Sequence, residues 1–166
     1  MISVNQVTHA LNSVPFFDNF KIEYLRQLAD VTELTSYPED TVVFRQGDPA
    51  ETLHIIVEGN VSLEICASGV GCKKILTLTH GDLLGWSPAL QQERLTATAR
   101  ALTEVTTLQL HSHQLLEMCE SEPQFGYEFM KRAALALAKR LSATRLQLMN
   151  IYGSEMPQAG TPPKTT

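Results

Sequence analysis

Between Gly81 and Leu102 the chain reads GDLLGWSPALQQERLTATARAL, and the residue types suited to holding an anion are densest there. Gly81-Asp82 signals a turn. Gly85 has no Cβ, so backbone can approach a ligand closely. Ser87-Pro88 reads as a helix start, with Ser87 as N-cap and Pro88 at the first helical position. That helix has room for only about one or two turns before Thr96-Ala97-Thr98-Ala99 resumes strand-like alternation. Free N–H groups on a short helix beside a glycine turn suit a phosphate or another small anion. Gly85, Trp86, Ser87 and Ala89 are the candidate wall of such a site. Arg94 is the candidate charge, and Thr96, Ala97 and Thr98 form the strand that leaves it, with two hydroxyls. Arg145 reaches either this pocket or water. Each residue also has a plainer use: Trp86 as a core aromatic, Arg94 in a solvated polar loop, Arg100 paired with a surface carboxylate.

Other reactive types are sparse. His111 and His113 stand two apart, but two imidazoles without a third ligand do not make a metal site. No Ser/His/Asp or Cys/His arrangement has supporting context, so neither catalytic residues nor a metal is expected. Cys66 and Cys72 flank the turn Ser68-Gly69-Val70-Gly71, and Cys119 leaves the count odd at three. There is no CxxC. A redox pair across the turn is conceivable, but reduced thiols in a reducing cytoplasm are the expectation.

The 166 residues suffice for one domain with a real core. Hydrophobic residues make up 43% and charged residues 19%, and the formal net charge of -5 argues against broad contact with a phosphate backbone. No apolar run reaches membrane-spanning length. The opening MISVNQVTHALNSV lacks the blocks of a signal peptide.

Several elements must position the central stretch. Short helices are expected over 4–12 and 21–30, with Val14-Pro15-Phe16-Phe17 between them lodging two aromatics in the core. Candidate strands run over 32–37, 41–45, 53–58, 60–66, 73–78, 96–101 and 104–110. Such short strands with frequent turns indicate a sandwich or barrel. Leu53, Ile55 and Val57 alternate with His54, Ile56 and Glu58, as in a half-buried strand. A short helix around 115–118 stops by Ser121, and Pro123 opens a long one. Along it Met130, Ala134, Leu137, Leu141, Thr144, Leu148 and Ile151 recur at alternating steps of four and three, a heptad seam. A helix over 123–152 is roughly 45 Å long, more than a barrel of this size covers.

Taken together, these features resemble the cyclic-nucleotide-binding domain family, the sensor domain of catabolite-activator-type regulators, from about Leu11 to Tyr152. The carriers are VPFF, then FRQGD as its F-x-x-G-D, IVEGNV as its I-x-x-G-x-V, the Gly81–Leu102 stretch as its phosphate-binding cassette, and KRLSATRLQ as the end of its sensor domain. The resemblance implies an α+β, mainly β fold: a double-stranded β-helix (jelly-roll) barrel with short N-terminal helices and a long C-terminal helix. It implies one domain over 1–152, with a homodimer formed through the helix 123–152, and a cyclic nucleotide as the ligand. The glutamate that usually follows the cassette glycine and holds the ribose hydroxyl is replaced by Trp86. The arginine that usually precedes the Thr-Ala-Thr run is replaced by Leu95, with Arg94 one residue early. A lost bond to a ribose hydroxyl costs about 1–3 kcal/mol, or roughly ten- to a hundredfold in affinity. The expectation is a cytoplasmic, non-enzymatic sensor that binds cyclic nucleotide weakly, or another small anion, and signals through its last helix to a protein partner. The alternative is a ligand-free dimeric scaffold. Where the family's regulators continue into a winged helix-turn-helix, only Gly153 to Thr166 follows, with three prolines and two glycines. That tail is expected to be disordered, and output to run through a protein rather than DNA.

Overall fold

A computed structural model describes residues 4–90 and 93–152, apart from the side chains of Pro88, Ala89, Ile151 and Tyr152. The expected tail over 153–166 lies outside the described residues, as do the side chains of the candidates Ala89 and Ile151. Helices α1 (Val4–Ser13) and α2 (Ile22–Asp30) flank a 3₁₀ turn, Pro15–Phe17. Eight strands follow: β1 (Thr32–Tyr37), β2 (Val42–Phe44), β3 (Thr52–Glu58), β4 (Val61–Ala67), β5 (Gly71–Leu78), β6 (Leu83–Leu84), β7 (Thr98–Ala101) and β8 (Val105–His111). Helices α3 (Ser112–Ser121) and α4 (Pro123–Tyr152) close the order. The strands form two antiparallel sheets, β1-β8-β3-β6 and β2-β7-β4-β5. This is the expected jelly roll, with its helices at both ends of the chain.

Two apolar clusters hold the fold together. Between the sheets lie Ile56, Val61, Leu76, Leu78, Leu84, Ala99, Ala101 and Val105. Beneath the helices, Leu53, Ile55, Leu83, Leu108 and Leu110 meet Phe16, Phe17, Leu28, Phe125 and Phe129. The VPFF turn therefore buries both phenylalanines as expected, and their rings meet edge-on at 5.0 Å between centroids. Strand β3 departs from the half-buried expectation. His54 is buried along with Ile56, because one face of β3 serves the inter-sheet cluster and the other the helical one.

The cysteine expectation is corrected. Cys66 and Cys72 are joined by a disulfide. The register of β4 against β5 sets the two residues directly opposite each other, so the hairpin brings the sulfurs together.

Helix α4 changes character along its length. Phe125, Phe129 and Ala133 are buried, whereas Leu141, Leu146, Leu148 and Met149 are exposed. Of the expected seam, Met130, Leu137 and Thr144 are half-buried, and Ala134, Leu141 and Leu148 face outward. Tyr127, Ala134, Leu141 and Leu148 thus make an exposed line at seven-residue steps.

Candidate functional site

The cassette enters on β6, which pairs with β3 through His54↔Leu84 and Ile55↔Leu83. Gly85 follows in the left-handed region, at φ +67°. A Cβ there would lie 3.0 Å from the Thr52 carbonyl and 3.3 Å from the Phe44 ring. Glycine is therefore required by the fold itself, because the loop presses against β3 and Phe44. Ser87 through Leu90 form one 3₁₀ turn, close to the helix start expected at Ser87-Pro88. Thr96 is exposed and Ala97 buried, but Thr98 and Ala99 are both buried, so the expected alternation breaks where β7 begins.

These residues enclose a cavity of about 30 Å³ lined by Gly85, Trp86, Ser87, Thr96, Ala97, Phe44, Leu63, Leu95 and Arg140. That volume admits a water molecule or so. Ligand pockets run to about 300–1,000 Å³. Leu95 is buried in the wall, where the resembled pattern carries arginine. Arg94 is not among the lining residues: it is exposed and donates 2.7 Å to the Gly47 carbonyl. Thr98 lies elsewhere, accepting from the Gln46 amide at 3.0 Å. Arg145 is exposed on α4.

The guanidinium that reaches the cavity is that of Arg140, a residue the sequence reading did not single out. It donates to the Leu83 carbonyl of β6. Burial pushes its pKa below the ordinary arginine value, and the charge of Asp82 acts in the opposite direction. Counting forward from Phe129 by four, three and four gives Ala133, Ala136 and Arg140, so Arg140 continues the buried face of α4. That continuation was the available signal. Arg140 also lines a larger cleft of about 490 Å³ between α4 and the turn that leads into β6, with Arg132, Lys139 and Asp82. One side chain thus stands between the small cavity and the open cleft.

The histidines resolve into separate roles. His54 bridges the hydroxyls of Thr52 at 3.1 Å and Thr107 at 3.2 Å. Burial, then the charge of His111, lowers its pKa from 6.5 to about 4. His80 Nδ1 contacts the Val57 carbonyl at 2.6 Å. His111 ends β8 and His113 lies in the first turn of α3, and they pair separately with Glu33 and Glu117. Among the described residues no group of three or more His, Cys, Asp or Glu side chains could hold a metal. None of the described helices is long and apolar enough to cross a membrane.

The family model described as the cyclic nucleotide-binding domain matches residues 34–122, more than half of the chain. A cGMP-dependent protein kinase of Drosophila melanogaster is 32% identical over 131 residues, covering 74% of this chain and 17% of the kinase. A cyclic nucleotide-gated potassium channel of Mesorhizobium japonicum is 28% identical over 121 residues, covering 73% of this chain and 32% of the channel. The chain thus spans under a third of each of these longer relatives. A solved structure described as a cyclic nucleotide-binding protein, from Geobacter metallireducens, superposes with a TM-score of 0.71 at 26% identity, covering 85% of this chain and 99% of that one. The chain belongs to the cyclic nucleotide-binding domain family. It is a sensor and regulatory domain of that class.

Proposed function

We propose that this domain senses a cyclic nucleotide, weakly, or another small anion, and passes the result through α4 to a protein partner. One observation carries the reading: Arg140 of α4 lines the cassette cavity and is bonded to the Leu83 carbonyl. A ligand that draws Arg140 away from that carbonyl joins the small cavity to the larger cleft and releases α4 in the same step. Gly85, Trp86, Ser87, Thr96 and Ala97 then line the site, and Arg140 supplies the charge that Leu95 does not. A ligand shifts α4 only by its differential affinity for the open and closed arrangements. The exposed line Tyr127, Ala134, Leu141 and Leu148 supports a homodimer through α4.

Titration calorimetry of the full chain with cyclic AMP, cyclic GMP and cyclic dinucleotides tests this. Arg140→Ala is expected to lower cyclic AMP affinity about tenfold, or about 1.4 kcal/mol. Adenosine, which has no phosphate, should lose nothing, and Arg94→Ala and Arg145→Ala should leave both unchanged. A second reading, a ligand-free dimeric scaffold, is favoured by the 30 Å³ volume and the Trp86 and Leu95 walls. It predicts a stable dimer with neither heat nor thermal shift from any of these compounds, a result that would displace the sensor reading.

A further inference from the structure

The disulfide lies at the tip of the β4–β5 hairpin, away from the cassette cavity, and its two sulfurs have unequal surroundings. Cys72 is exposed and Cys66 half-buried. Cys66 Sγ lies 3.7 Å from Thr98 Oγ1. With Arg45, Thr98 and Arg100, the pair lines a recess of about 330 Å³. Arg100 is shared with Glu64 at 3.5 Å, whereas Arg45 makes no ion pair among the described residues. Guanidinium groups and a hydroxyl favour a thiolate over a thiol, and a thiol that ionises readily is the better leaving group. The hairpin itself is closed by its strand ladder and by the Val70 amide donating to the Ala67 carbonyl at 3.2 Å. A bridge across so short a loop removes comparatively little entropy from the unfolded chain.

We propose that Cys66–Cys72 is a thiol–disulfide exchange site at which an external low-molecular-weight thiolate attacks the Cys72 sulfur and Cys66 departs as the thiolate. The attack forms an external S–S bond to Cys72 and breaks the Cys66–Cys72 bond. A second thiolate then attacks the external sulfur, releasing Cys72 and an external disulfide. The two protein sulfurs gain two electrons and, on protonation, two protons; the two thiols are oxidised. The state of the pair is carried inward by the Cys66 amide, which donates 2.9 Å to Gln46 Oε1, while the Gln46 amide donates 3.0 Å to Thr98 Oγ1 on the strand leaving the cassette. The inference does not depend on what the cassette binds.

Cys119 serves as an internal control, because burial and then the charge of Glu120 push its thiol up to about 11. The test equilibrates the folded full chain with glutathione and glutathione disulfide at varied ratios. Acid quenching, maleimide capping and peptide mass mapping then read each cysteine. The expected result is reversible opening in the native protein, with trapped glutathione on Cys72, a free thiol on Cys66 and little capping of Cys119. Replacing Arg45→Gln and Arg100→Gln together should slow opening at least threefold. A bond that stays closed until denaturant is added overturns the proposal. So does glutathione trapped on Cys66, or equally on both sulfurs, or opening unchanged by the arginine replacements.

Discussion

The two ends of α4 are made of similar residues and meet opposite fates. Near Pro123 the helix is enclosed. Phe125 and Phe129 are fully buried, and they join Phe16, Phe20 and Tyr24 in a chain of ring contacts between 5.3 and 6.0 Å. Past Arg140 the helix continues to present leucines, and among the described residues little covers Leu141 or Leu146. Leu141 is 51% exposed and Leu146 63%. Apolar burial is the main stabilising term, so the first end fixes the helix and the second end contributes little to the fold. The exposed stripe is the surface that the proposed dimer would use. Arg140 stands at the boundary, touching the cassette.

The difference can be broken or sharpened by experiment. The largest effect belongs to the enclosed end: Phe129→Ala should cost about 3–5 kcal/mol in denaturant unfolding, and a loss under 1 kcal/mol would remove the anchor. The next concerns β3, on which that end rests. His54 is neutral in the folded chain down to about pH 4, whereas the unfolded chain takes up its proton near 6.5. The unfolded state therefore binds more protons in that window, and stability should fall as pH drops from about 6.5 to 4, by about 3 kcal/mol in all, and then level off. His54→Leu should flatten that slope in unfolding curves taken across the range. At the boundary, Arg140→Ala removes a charged donor from the Leu83 carbonyl and should cost about 1–3 kcal/mol. At the far end, Leu141→Glu with Leu148→Glu should change protomer stability by no more than about 0.5 kcal/mol. The same pair should convert a dimer to monomer in sedimentation, and a persistent dimer would mean that another surface associates.

Most of the barrel was legible because its turns are punctuated by residues with few conformations open to them, as in Arg45-Gln46-Gly47-Asp48 and Glu58-Gly59-Asn60. Strand β6 was not, because two leucines inside a glycine-rich stretch carry no period. Double-sided burial of β3 was also hidden, since alternation describes one covered face and here helices cover the other. The disulfide depended on register, and the ladder shifts between Leu63 and Glu64, an irregularity that spacing alone does not reveal. In the cassette, Gly85 and Ser87 stand in the wall that their types suggested. Arg94 does not, because the Gly47 carbonyl holds its guanidinium. Arg140 was not legible, because apolar spacing carries no mark of a buried helix face that ends in a cation.

Gly126, at the start of α4, has a mechanical consequence. A Cβ there would lie 2.7 Å from the Cys119 carbonyl, so α3 and α4 touch backbone to backbone at this point. The helix runs from that contact to Asn150 over about 36 Å at 1.5 Å per residue. In the proposed signalling it is a lever with its fulcrum at a glycine. A tilt of ~10° at the fulcrum sweeps the tip through ~6 Å, about one helical turn. Gly126→Ala would reset the resting angle of α4 and shift Arg140 with it, so the proposed input at the cassette and the proposed output at the tip would change together.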